Sequence, residues 1–424
     1  MGVTELNTKE SLQREPLKAQ VSLTPLSLPS PQTLLVVGAI IVAGILSIVS
    51  YHYAGFVQGL LLWIGLLLGF TLFHARFGFT SAFRNFLAVG NGQAIRAHMI
   101  LLATATTLFA IIFATKFSLF GTTPVGNISP VGTSLIVGSF IFGIGMQLGN
   151  GCASGTLYNV GGGRLEMIIT LLFFIIGSVI GAWHFDFWMN DTPSLPAISL
   201  AETTGFGYFG GWLVQMALFT VIFLFTLRYE KKRQAPLMKP LPTEESPWKR
   251  IFRGSWPLWV AALMLAVLNA LTLVTRGHPW GVTSAFALWG SKVALFLGID
   301  VTNWAFWAEE KGIALERSVF HDTTSVMNFG ILLGAFIAAT LGGIFKPKRV
   351  QWKTIVAAVI GGLLMGYGAR LAFGCNIGAY FSGIASMSVH GWVWAVFALA
   401  GSYIALYLRP LFGLSVPKKN DHFC

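Results

Sequence analysis

Apolar residues in this chain come in runs of about twenty, separated by short polar or glycine-rich breaks. Roughly 20 mostly apolar residues are what a helix needs to cross the hydrocarbon core of a bilayer. By that measure, spans are predicted at 33–53, 56–74, 94–115, 132–149, 165–184, 207–228, 256–274, 326–345, 354–371 and 389–408. Two apolar stretches are too short to cross. One covers 78–90; the other, 281–299, is interrupted by Gly290 and Lys292. Both read as re-entrant half-helices. The pattern therefore predicts an all-α polytopic membrane protein with about ten transmembrane helices.

The same pattern divides the chain. Residues 1–31 are polar with several prolines and read as a cytosolic tail, not a cleaved signal peptide. Residues 32–55 form an additional transmembrane helix. A first repeat with a linking span occupies 56–228, a basic linker 229–254, a second repeat 255–412 and a tail 413–424.

Composition agrees with a lipid-facing surface. Of 424 residues 54% are hydrophobic and only 10% charged, against about a quarter charged in soluble domains. The 48 glycines suit close helix packing in a bilayer. The formal net charge of +12 would suggest nucleic acid in a soluble protein. Here the basic residues lie in short loops between apolar runs, so they report topology and contact with anionic lipid head groups. Residues 228–253 carry Arg228, Lys231, Lys232, Arg233, Lys239, Lys249, Arg250 and Arg253. The positive-inside rule puts that linker in the cytoplasm. The 346–353 loop, Arg76, Arg84, Arg96, Arg164 and both tails follow it. Ten spans with both termini inside satisfy almost every loop.

The chain also compares well with itself. Gly78-Phe-Thr-Ser-Ala-Phe83 recurs as Gly281-Val-Thr-Ser-Ala-Phe286, with five of six residues identical. FGIGMQLGNGCASG at 142–155 aligns with MGYGARLAFGCNIG at 365–378. This pairs Gly143 with Gly366, Gly151 with Gly374, Cys152 with Cys375 and Gly155 with Gly378. Five predicted spans separate equivalent elements, and five is odd. The two modules must therefore have opposite orientations, an arrangement typical of transporters whose broken helices meet near the midplane.

Candidate chemistry concentrates at the two cysteine loops. Of three cysteines, Cys424 lies in a polar tail, while Cys152 and Cys375 sit beside glycines. Gly151, Gly155, Gly374 and Gly378 let the backbone turn sharply and approach a ligand. N–H groups at a broken helix start favour an anion. A thiol adds a weak donor and a polarizable sulfur. The alternative is that these glycines pack helices and the cysteines fill space as small hydrophobes. Asn150 and Asn376 flank the cysteines and could donate to an oxyanion. Arg370 lies five residues before Cys375, with Gln147 in the equivalent place. An arginine in a span is costly and suspect of function, or else snorkels or pairs with a carboxylate. Lys292 is a weaker case of the same kind. Thr80, Ser81, Thr283 and Ser284 offer hydroxyls, which in membrane helices also serve backbone carbonyls. No phosphate-binding GxxxxGK[ST] loop occurs. The eight histidines lack metal-ligand spacing, and no cofactor is implied.

At these motifs the chain resembles the YeeE/YedE family of bacterial inner-membrane sulfur transporters. The resemblance runs from about residue 56 to 412. It rests on R-F-x-x-T-x-x-F-R at 76–84, G-x-G-C-x-x-G at 149–155 and G-C-x-x-G at 374–378. It implies a nine-span, hourglass-shaped core of two inverted modules, with 33–53 as an added span. It further implies thiosulfate uptake, with Cys152 and Cys375 as two of the cysteines that contact the anion's terminal sulfur along a central path. YeeE-like members have a third cysteine where this chain has Gly78. YedE-like members are linked to selenium metabolism, so a selenium-containing substrate stays open. Members often work with separate small sulfur-carrier proteins. The expectation is a permease, not an enzyme, for a small sulfur- or selenium-containing anion. A membrane sulfur relay holding a cysteine persulfide is the competing reading, and a structural protein with no pathway is a third.

Overall fold

The computed structural model describes residues 29–236, 246–308, 311–347 and 350–419. Most of the N-terminal tail, the middle of the basic linker, residues 309–310 and 348–349, and the last residues with Cys424 lie outside the described residues. The described residues are mainly helical. Its first module contains α1 (Thr33–Ala75), α2 (Phe79–Val89), α3 (Gln93–Thr115), α4 (Thr133–Leu148), α5 (Ala153–Gly161) and α6 (Leu165–Trp183). A short α7 (Phe185–Asn190), the long α8 (Gly207–Arg233) and α9 (Pro247–Arg253) lead to the second module. That module contains α10 (Leu258–Arg276), α11 (Thr283–Phe296), a short α12 (Ile313–Glu316), α13 (Thr323–Leu341), α14 (Trp352–Leu371), a π-helix (Asn376–Ser382), α15 (Gly383–Ala385) and α16 (Val389–Leu408). Strand structure among the described residues is a two-residue ladder, Val131–Gly132 against Ser194–Leu195, with one isolated bridge, Ser199 to Ser388.

Nine continuous helical runs among the described residues are long and apolar enough to cross a membrane. The first hides an extra crossing. At 43 residues α1 would be about 65 Å long, twice a bilayer core, and its backbone breaks at Ala54 and Gly55. The two arms fold back on each other. A Cβ built on Gly59 lies 3.8 Å from the Ser47 carbonyl, and Ala39 and Ala43 pack against Leu66. Among the described residues this gives ten membrane-length arms, near the predicted places. Boundaries shift by a few residues: α13 covers Thr323–Leu341 where the hydrophobic run suggests 326–345, and α8 runs on to Arg233. Asp322 caps α13, its carboxylate accepting from the Ser325 N–H at 2.7 Å.

Helix contacts repeat across the duplication. The second arm of α1 corresponds to α10, α2 to α11, α3 to α13, α4 to α14 and α6 to α16. α1 packs on α13 as α10 packs on α3; α6 packs on α14 as α16 packs on α4; α5 touches α13 as α15 touches α3; α11 touches α6 as α2 touches α16. The pairs α4·α14 and α1·α10 map onto themselves, so they flank a pseudo-two-fold axis. Equivalent helices run oppositely. The end of α1 meets the start of α10, where the Trp256 N–H donates to the His74 carbonyl. The end of α10 meets the loop after α3, where the Leu119 N–H donates to the Val274 carbonyl, and Phe120 of that loop packs on Phe56 at the start of α1's second arm. One end of the bundle thus carries Arg76, Arg164, Arg253 and Lys346, and is called the basic face below.

Glycine makes this interlock possible. Apolar helices gain little from hydrophobic burial in lipid, so close backbone approach holds them. A Cβ on Gly143 would lie 2.2 Å from the Ala398 carbonyl oxygen; its counterpart on Gly366 would lie 2.2 Å from that of Phe174. Gly177 and Gly401 meet Leu363 and Phe140 at 2.3 and 2.0 Å in the same symmetric manner. The repeated glycines of the sequence are therefore helix-packing positions, while those beside the cysteines have another task.

Candidate functional site

Both cysteine segments are helix starts rather than loops. After α4 the chain turns through Asn150, at φ +57°, and restarts at Ala153. Cys152 is the N-cap residue of α5, its Sγ accepting from the Gly155 N–H at 3.4 Å and lying 3.5 Å from Ser154 Oγ. After α14 the chain turns through Phe373, at φ +57°, and Gly374, at φ +146°. Cys375 then caps the π-helix, its Sγ accepting from the Ile377 N–H at 3.4 Å. Sulfur is a weak acceptor compared with the oxygens that usually cap helices. Each helix start therefore keeps positive potential that the cap only partly answers. Gly374 is required where it stands: its φ is closed to other residues, and a Cβ would lie 2.9 Å from the Ala379 nitrogen.

The structure brings the two turns together. Cys152 is 1% and Cys375 0% exposed. α5 touches the π-helix, and Cys152 and Arg370 both lie within electrostatic range of Cys375. Around the thiols, several buried polar atoms have no hydrogen-bond partner among the described residues: Thr80 Oγ1, Gln147 Oε1, Arg370 Nε and both amide atoms of Asn376. Thr80 Oγ1 nevertheless lies near the Cys152 thiol, short of good hydrogen-bond geometry. Gln147 Nε2 donates to the Thr80 carbonyl at 3.1 Å, tying α4 to α2. Buried polar atoms are nearly always paired, so these five unanswered atoms near the two helix starts are open to a polar ligand.

Arg370 neither reaches the surface nor meets a described carboxylate. It is 6% exposed, packs against Gly181, and lies over the Phe306 ring at 5.5 Å, with Lys311 over the same ring at 5.3 Å. Other candidates stand apart. Ser81 Oγ donates to the Gly78 carbonyl at 3.0 Å, Ser284 is exposed, and Thr283 is buried at the start of α11. Lys292 donates to the carbonyls of Leu315 and Arg317 at 2.6 Å, which gives it a structural task. Asn150 turns its Oδ1 away from the thiols toward Arg84 and Arg409.

Some residues near the site escaped the linear reading. The Tyr380 ring packs against Phe79, Phe83, His98 and Trp394, filling the space where α2, α3, the π-helix and α16 converge. Asn269 accepts from the Trp280 N–H at 2.7 Å and donates to Ser382 Oγ at 3.2 Å; Asn328 Nδ2 donates to the Val282 carbonyl at 2.9 Å. A lone asparagine in an apolar span is a signal by itself, since a polar side chain there needs a buried partner. No such signal distinguished Tyr380 from an interface tyrosine.

A family model described as sulphur transport matches residues 74–404. The thiosulfate transporter TsuA of Escherichia coli (strain K12) is 29% identical over 359 residues, covering 82% of this chain and 94% of that protein. TsuA of Spirochaeta thermophila is 28% identical over 385 residues, covering 82% and 99%. The probable transporter YedE of E. coli is 33% identical over 177 residues, covering 40% and 43%.

Proposed function

The chain belongs to the sulphur-transport family, and from that premise we propose that it is a permease importing a small thiosulfate-like anion past its two buried thiols. The basic face is taken as cytoplasmic by the positive-inside rule, and the membrane as a bacterial inner membrane. The anion enters at the face of Arg370, meets Cys375 and Asn376, passes Thr80 and Gln147, and leaves beside Cys152. The observation that carries this reading is the cluster of unpartnered buried polar atoms at two thiol-capped helix starts. Such starts answer the oxygens of an anion with N–H groups, and the thiols answer its polarizable sulfur. The full-length relatives named thiosulfate transporters support the substrate class.

Gly78 favours one second reading. The resemblance implies a further cysteine where this chain has Gly78, so a selenium-containing oxyanion is the alternative substrate. Purified protein in proteoliposomes, given radiolabelled thiosulfate with selenium oxyanions as competitors, tests both. Cys152→Ala and Cys375→Ala are each expected to lower uptake at least about tenfold, the equivalent of ~1.4 kcal/mol in barrier height. Uptake of every anion at the parent rate by both variants removes the thiols from the mechanism.

A further inference from the structure

Below the Cys152 turn, at the basic face, two arginines converge on one atom. Arg84 Nη1 of α2 donates to Asn150 Oδ1 at 3.1 Å, and Arg409 Nη2, just past α16, approaches the same oxygen at 3.5 Å. Arg409 is 2% exposed and also donates to the carbonyls of Gln147 and Ser415. The two guanidinium groups lie within electrostatic range of each other. Neither has a carboxylate within salt-bridge distance among the described residues. The acids of this face go elsewhere: Glu230 to Arg96 at 3.0 Å, Glu166 to Arg164 at 3.9 Å. Tyr158 adds a hydroxyl, lying within range of both Arg84 and Cys152.

A neutral amide oxygen positions two cations without neutralising them. Like charges held together in a low-dielectric setting repel unless an anion joins them. Arg84 spends one donor on Asn150 and has no other hydrogen bond among the described residues, so the rest of its fork is free for oxygen atoms, the geometry guanidinium matches best. Arg409 has its donors on the protein and contributes charge and position. Tyr158, within range of both Arg84 and Cys152, links this pair to the thiol turn.

We propose that Arg84, positioned with Arg409 by Asn150, forms a binding site for the oxygen end of a divalent oxyanion at the mouth of the Cys152 turn. This rests on the transport reading for its direction: the anion's sulfur meets Cys152 while its oxygens face the basic side. The site selects for charge and oxygens, where the thiols select for sulfur. Sulfate, which has the oxygens but no terminal sulfur, is therefore the probe.

The test is equilibrium binding of radiolabelled sulfate to the purified full-length protein in nanodiscs at low salt, comparing the parent with Arg84→Gln and Arg84→Lys. The parent is expected to bind sulfate, with affinity falling as sodium chloride rises. Arg84→Gln is expected to raise the Kd at least about tenfold, as for loss of a charge-assisted pair of hydrogen bonds. Arg84→Lys, which keeps the charge and loses the fork, is expected to raise it about threefold. A parent that does not bind sulfate, or an Arg84→Gln Kd equal to the parent's, overturns the site. If Arg84→Gln does not fold, an Arg84→Lys Kd equal to the parent's overturns it. Sulfate binding that depends on Arg84 in a protein that moves no thiosulfate or selenium oxyanion would leave the site standing and remove the transport reading instead.

Discussion

In the Cys152 turn the chain pivots on Asn150 and restarts as an α-helix; in the Cys375 turn it pivots on Phe373 and Gly374 and restarts as a π-helix. The sequences align residue for residue, and both thiols end as N-caps. Their surroundings differ. Asn150 binds two arginines and fastens its turn to α2 and to the segment after α16. Asn376 binds nothing among the described residues, although it is fully buried, and Gly374 holds a backbone geometry closed to other residues. Strain and unpaired polarity tend to gather at functional sites, and π-helical turns share that habit. The duplicated turn has thus diverged into a fastened half at the basic face and an open-handed half at the other.

Glycine substitution should separate the halves most. Gly374→Ala places a Cβ at φ +146° and 2.9 Å from the Ala379 nitrogen. Backbone strain of that class costs about 1–3 kcal/mol, and thermal unfolding in detergent should fall by roughly 1–3 °C for a chain of this length. Uptake should fall at least about tenfold, because the Cys375 thiol moves with its helix start. Gly151→Ala is milder: its φ is open to other residues, and the nearest atom, the Thr156 nitrogen, is 3.3 Å from the new Cβ. Its Tm should drop by less than half as much. Equal losses would abolish the asymmetry.

Asparagine substitution should split stability from transport. Asn150→Ala removes an acceptor shared by two guanidinium groups and should cost about 1–3 kcal/mol of stability, read as a lowered Tm. Asn376→Ala deletes polar atoms that have no described protein partner. It should leave the Tm within roughly 0.5 °C, since removing an unsatisfied polar group is near neutral, yet lower uptake about tenfold as an anion contact is lost. A destabilised Asn376→Ala with normal uptake would make Asn376 structural and the two turns alike.

Much of this arrangement was legible along the chain. Hydrophobic length gave the crossings, because in lipid it is nearly the only constraint on a helix. The repeated GVTSAF/GFTSAF and GC segments gave the inverted modules, and the contacts of Gly143, Gly366, Gly177 and Gly401 bear the duplication out at the level of single atoms. What the linear pattern lacked was direction of side chains. Ser81 and Ser284 share a motif, yet one caps back onto Gly78 and the other faces outward. Asn150 and Asn376 both neighbour a cysteine, but lie on opposite sides of it in sequence, so they project differently. Arg84 and Arg409 are distant in the chain and meet only because α16 returns to the basic face beside α2.

The smallest effect concerns Gly78, set against its repeat partner Gly281. A Cβ on Gly281 would meet nothing within 4 Å, whereas one on Gly78 would lie 2.6 Å from Ser81 Oγ and 3.6 Å from the Tyr158 hydroxyl. The Ser81 hydroxyl is the end of a short rotatable side chain, so Gly78→Cys requires it to swing away and give up its bond to the Gly78 carbonyl. That costs about 1 kcal/mol, a Tm change of roughly 1 °C. The new thiol would lie beside Tyr158, itself near Cys152 and Arg84. It should raise the preference for thiosulfate over selenium oxyanions about two- to threefold in competition uptake, a shift under ~1 kcal/mol. Gly281→Cys should change neither Tm nor preference, because its site is open and lies in the other module. If both variants alter preference equally, the added sulfur acts without regard to position, and the basic-face mouth loses its claim to a selective role.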